Sequence, residues 1–113
     1  MRLIQGDLTL LDTGIIAHQC NCKGVMGAGL AKSLSDKYPI IKEKYLELCK
    51  GKVMLGYNQL VKVDKYLYVA NCFSQDGYGR DKCYTDYEAV NQCFKGLKVD
   101  SEYYNMPLFL PKM

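Results

Sequence analysis

The spacing of apolar positions changes several times along this chain, and each change marks an element. Residues 2 to 5 (Arg-Leu-Ile-Gln) and 14 to 19 (Gly-Ile-Ile-Ala-His-Gln) are short apolar runs that predict strands. The second has a continuous apolar centre suited to the interior of a sheet. Asp12-Thr13-Gly14 supplies the turn between them. From about Ala28 the period lengthens, and Leu30, Leu34 and Tyr38 at i, i+4, i+8 predict a helix to Lys37 that Pro39 stops. Proline also suits the first turn of a helix, and Ile41, Tyr45 and Leu48 carry a second one to about Lys50, where Gly51 can end it.

Leu55 to Val63 and Tyr66 to Asn71 then predict two strands folded back around Asp64-Lys65 as a hairpin. Cys72 to Tyr84 is polar, carries Gly77 and Gly79, and is expected to be a loop with a functional role. Thr85-Asp86-Tyr87-Glu88 fits a capping box that opens a third helix with Tyr87, Val90, Phe94 and Leu97 on its apolar face. The tail Tyr103-Tyr104-Asn105-Met106-Pro107-Leu108-Phe109-Leu110 is expected to be a last strand broken at Pro107. Strands alternating with helices around an inserted hairpin predict an α/β fold with a mixed sheet and helices on both faces.

Composition narrows the class. A chain of 113 residues, 49% hydrophobic and 24% charged, suits a single globular domain and argues against disorder, collagen or coiled coil. The net charge of +3 is spread among residues of both signs, which is no nucleic-acid footprint. No apolar run approaches the roughly 18 to 20 residues needed to span a bilayer, and the first residues lack a signal-peptide core, so a cytoplasmic location is expected. In that compartment the six cysteines are expected to be thiols.

The chemistry gathers at two loops and one strand end. His18-Gln19-Cys20-Asn21-Cys22-Lys23-Gly24-Val25-Met26-Gly27-Ala28-Gly29-Leu30-Ala31 runs a glycine-rich loop straight into a helix, an arrangement that cradles phosphate with backbone N–H groups. It has neither the Lys-Ser/Thr ending of a P-loop nor the dinucleotide glycine spacing. His18, the only histidine, can serve as acid or base in phosphate cleavage, or be a structural core residue. Asn21 can orient a ribose hydroxyl or a water, or simply make a turn. Gly6-Asp7-Leu8 ends the first strand, where Asp7 can accept from the exocyclic amine of a base while the Leu8 N–H donates to its ring; the bland alternative is a turn aspartate. Ser74 to Asp81 forms the second polar loop, in which Asp76 or Asp81 can pair with His18 and Tyr78 can stack or hydrogen-bond on a ribose; the bland alternative is a solvated mobile loop. Cys20 and Cys22 form a C-x-C pair without a matching second pair, poor spacing for a metal, so neither metal nor cofactor is expected.

Gly6-Asp7-Leu8, the His18-x-Cys20-Asn21-Cys22-x-Gly24-x-Met26-Gly27-x-Gly29-Leu30-Ala31 segment and Tyr38-Pro39 together resemble the macro domain family. The resemblance is closest to its ADP-ribose-1''-phosphate phosphatase branch and covers about residues 3 to 98. It implies a three-layer α/β/α fold in which Asp7 and Leu8 hold adenine and Gly24, Val25, Met26, Gly27, Ala28, Gly29, Leu30 and Ala31 wrap the diphosphate. It further implies that Asn21 addresses the distal ribose and His18 is catalytic, with a loop aspartate as partner, Asp76 in preference to Asp81. Family members follow their Met-Pro strand with another glycine loop, a strand and a helix. Here Met106-Pro107 is followed only by Leu108 to Met113, which implies a C-terminally shortened fold with a sheet face open to self-association. The expected function is a phosphatase acting on ADP-ribose 1''-phosphate. The alternatives are an ADP-ribose binding module, an ADP-ribosyl hydrolase, and a shortened copy with little activity.

Overall fold

The computed structural model describes residues 2–3, 11–21, 29–51, 55–75 and 87–110. The elements run β1 (Arg2–Leu3), β2 (Gly14–Asn21), α1 (Gly29–Lys37), α2 (Pro39–Cys49), β3 (Asn58–Asp64), β4 (Leu67–Gln75), α3 (Tyr87–Tyr104) and β5 (Leu108–Leu110). They build one five-stranded sheet in the order β1-β5-β2-β4-β3. β1, β5, β2 and β4 are parallel neighbours, and only β3, the second arm of the β3–β4 hairpin, runs against them. The mixed sheet of the α/β expectation is present, with β2 in its interior.

Alternation along β2 and β4 sorts the core into two layers. Ile16, Cys20, Leu67, Val69 and Phe73 pack against Leu34, Ile41 and Tyr45 of α1 and α2. Ile15, Ala17, Ala70, Cys72, Leu108 and Leu110 pack against Cys93 and Leu97 of α3. Leu34 and Ile41 are wholly removed from solvent, a burial that stabilises by roughly 1.5–3 kcal/mol for each side chain. Pro39 works in both directions: α1 ends at Lys37, and the proline occupies the first turn of α2 behind the extended Tyr38. Gly14 starts β2 at φ +114, where a Cβ would stand 2.7 Å from the Phe109 ring and 2.8 Å from the Pro107 carbonyl, so only glycine lets β2 lie this close to β5.

The tail departs from expectation. Tyr103 and Tyr104 continue α3, and the strand begins only at Leu108. A Schellman ending accounts for this: Asn105 adopts φ +52, its N–H bonds the Glu102 carbonyl, and the Met106 N–H reaches back to Ser101. The Tyr104 ring also packs on Tyr68 at 5.2 Å, a tertiary contact that overrides β propensity. Tyr87 does not lie on the apolar face of α3; it is 73% exposed, and the buried stripe is Ala89, Cys93 and Leu97. Cys72 to Gln75, expected as loop, extend β4, while β3 starts three residues later than expected because Gly56, at φ +93, turns the chain there. Thr85 and Asp86 lie outside the described residues.

Candidate functional site

The parallel strands all present their C-terminal ends at one edge of the sheet. β2 is followed by α1 and α2 on one face, and the adjacent β4 by α3 on the other. Where neighbouring parallel strands send their connections to opposite faces, a crevice opens between those connections, and in open α/β sheets ligands bind there. Asn21 and Gln75, paired across the two strand ends, form its floor. Both loops singled out from the sequence leave from this point, the glycine-rich segment after Asn21 and the polar segment after Gln75.

The pairing slips by one residue here. Cys20 faces Phe73 and Asn21 faces Gln75, so Ser74 is the extra residue of an irregularity of the kind that re-aims side chains beside functional sites. Ser74, expected to bind ligand, is buried, and its hydroxyl turns 3.5 Å toward the Cys72 carbonyl of its own strand. With Ala17, Cys72, Cys93, Phe94 and Leu97 it lines a cavity of about 40 Å³ beneath α3. That is room for water but far below the roughly 300 Å³ of a small-molecule site. Leu30 and Ala31 lie in the first turn of α1 and pack on the core, so what they and Gly29 can offer a ligand is backbone N–H. Gly6, Asp7, Leu8, Gly24, Val25, Met26, Gly27, Ala28, Asp76 and Tyr78 fall outside the described residues.

Asn21 is 5% exposed and held from below. The Tyr45 hydroxyl, carried up from α2, lies 2.8 Å from its Oδ1 and 2.9 Å from its backbone carbonyl. Tyr45 itself is wholly buried, its ring stacked on Phe73 at 5.7 Å.

His18 stands three residues below the strand end on the same face. Its Nε2 is 2.6 Å from Asn71 Oδ1, Asn71 Nδ2 donates to Gln59 Oε1 at 3.0 Å, and Gln59 Nε2 donates to the Lys44 carbonyl at 2.9 Å. A backbone carbonyl can only accept, so Lys44 fixes the direction of the whole chain: Gln59 turns its oxygen to Asn71, and Asn71 turns its oxygen to His18. The Nε2 therefore carries the ring proton and Nδ1 is the basic nitrogen, while the Cys20 sulfur lies beside both, 3.8 Å from Nε2 and 3.9 Å from Nδ1. Burial lowers the His18 pKa to about 4 against a small opposing effect of the Asn71 bond, so the ring is uncharged at neutral pH. Of the two options open in the sequence for His18, this environment fits a neutral, hydrogen-bonded core histidine; a resting imidazolium ready to donate at pH 7 does not fit it.

Sequence reasoning brought Tyr45 and Asn71 to no site. Asn71 had a signal, a carboxamide closing the apolar run from Tyr66. Tyr45 is indistinguishable by spacing from any core tyrosine on a helix.

No protein-family model matches the chain, but individual relatives do. An ADP-ribose 1''-phosphate phosphatase of Meyerozyma guilliermondii is 32% identical over 120 residues, which cover 90% of this chain and 69% of the relative. One of the same name from Lodderomyces elongisporus is 30% identical over 128 residues, covering 100% and 80%. A macrodomain protein from Streptomyces coelicolor superposes with a TM-score of 0.88 at 26% identity, over 98% of this chain and 77% of that one. The fold and its crevice are those of a three-layer α/β/α sandwich built to take a ligand at its strand ends. The chain belongs to the macro domain family.

Proposed function

We propose that this chain binds ADP-ribose across the crevice and hydrolyses the terminal phosphate of ADP-ribose 1''-phosphate. The observation that carries the reading is Asn21, a nearly buried carboxamide held at the end of β2 beside the connection that leads into α1. The shared name of two relatives that match most of this chain supports the substrate. In this reading Asp7 and Leu8 hold adenine, residues 24–31 surround the diphosphate with backbone N–H groups, and Asn21 meets the distal ribose. The same reading gives Asp76 and Tyr78, in the segment that follows β4 in the sequence, a part in binding the substrate. His18, neutral at rest and with Nδ1 as its basic nitrogen, would accept the proton of the water that attacks phosphorus and pass it to the leaving sugar oxygen as the P–O bond breaks. The compartment we assign is the cytoplasm, consistent with four free thiols among the described cysteines.

Binding without turnover is the second reading, and the same burial of His18 favours it. Phosphate release from ADP-ribose 1''-phosphate, measured beside a calorimetric titration with ADP-ribose, separates the two. The expected result is saturable release that Asn21→Ala abolishes. Binding with no release would assign the chain to the binding modules of the family, and neither binding nor release would end both readings.

A further inference from the structure

Tyr45 carries α2 to the floor of the crevice. Its ring is wholly buried and fixed by stacking on Phe73, so the hydroxyl has little freedom of its own. That hydroxyl approaches both oxygens of a single residue, the backbone carbonyl and Oδ1 of Asn21. The single hydroxyl proton is shared between the main-chain and side-chain oxygens, a contact that restricts the χ angles of Asn21 as well as the carbonyl from which the next connection departs.

We infer that Tyr45 is a positioning residue, which sets the orientation of the Asn21 carboxamide that meets the ligand's distal sugar; this rests on the ADP-ribose reading above. The tyrosine touches no ligand. Its contribution is preorganisation: a carboxamide free to turn about χ1 and χ2 would lose rotamer freedom on binding and weaken the complex.

Tyr45→Phe removes one hydroxyl and leaves the stacked ring in place. In the ligand-free protein, nitrogen-15 NMR reads the geometry directly: the Asn21 side-chain NH2 resonances should shift and broaden, while those of Asn71, held by Gln59, stay where they are. Titration calorimetry then compares ADP-ribose with ADP, the same nucleotide without the distal sugar. The variant should lose about tenfold in affinity for ADP-ribose and nothing for ADP, the loss expected of one hydrogen bond. Equal losses for both ligands would reveal a general structural defect and overturn the inference. So would unchanged ADP-ribose binding or unmoved Asn21 resonances. A wild-type chain that binds neither ligand would instead remove the functional reading, and the ligand-free spectra would still decide whether Tyr45 sets Asn21.

Discussion

The two faces of the sheet are built on different principles. Under α3, the buried side chains are mostly aliphatic or thiol: Ile15, Ala17, Ala70, Leu97 and Leu108 surround Cys72 and Cys93, with Ser74 at the strand end and the Asn58 amide donating from β3 to the Cys93 carbonyl. The Cys93 side chain bonds the Cys72 thiol and, together with burial, raises its pKa well above the ordinary range, so Cys72 stays protonated and inert. Under α1 and α2, the same two strands bury His18, Asn71 and Asn21 in directional hydrogen bonds to Gln59, Lys44 and Tyr45. Shape dominates on the first face, the orientation of individual dipoles on the second. A polar network this deep costs desolvation that an apolar core avoids, and it is confined to the face whose helices follow the glycine-rich segment. Orientation at the crevice floor is the property that this cost supports.

The strongest way to break the contrast is to damage the apolar face alone. Leu97→Ala removes a 2% exposed side chain beside a cavity that already exists, so little collapse is available to relieve it. About 2–5 kcal/mol of stability should be lost in urea unfolding. The folded fraction should bind ADP-ribose with its affinity intact; a loss of affinity would show that both faces orient the site.

The polar face should reveal itself through pH. His18 is the only histidine, and its pKa falls from 6.5 to about 4 on folding. The unfolded chain takes up a proton below pH 6.5 that the folded ring refuses, so this stability is complete above pH 6.5 and declines as pH falls toward 4. The full decline is worth about 3 kcal/mol, most of it already spent at pH 5. Urea unfolding at pH 7 and pH 5 measures it, and His18→Gln should remove the His18 share of the difference. Equal pH dependence in wild type and variant would mean that the ring is not buried neutral, and the proton-donor role would return.

Much of this contrast could be read from the residues and some could not. Local signals placed the helices: the i, i+4 spacing of Leu30 and Leu34, the proline at 39, and the spacing of Ile41, Tyr45 and Leu48 set α1 and α2 to within a residue or two. The end of α3 escaped because Tyr103 and Tyr104 favour strands, whereas the Tyr68 contact and the left-handed Asn105 keep them helical. Asn105-x-Pro107 was the legible stop signal. At the crevice, Asn21 was recognisable from its loop. Its holder Tyr45 is 24 residues away and meets it only through the tertiary fold. His18 was identified, but its protonation state depends on the Asn71–Gln59–Lys44 chain, which no spacing in sequence displays.

If ligand recognition belongs to the strand ends on the α1 and α2 face, backbone amide NMR of the wild-type chain during titration with ADP-ribose will locate it there. Saturable shifts should concentrate at Gln19, Asn21, Gly29, Leu30 and Gln75, with Val99, Tyr103 and Tyr104 at the far end of α3 unmoved. Shifts centred on that far end, or none at millimolar ADP-ribose, would contradict this placement.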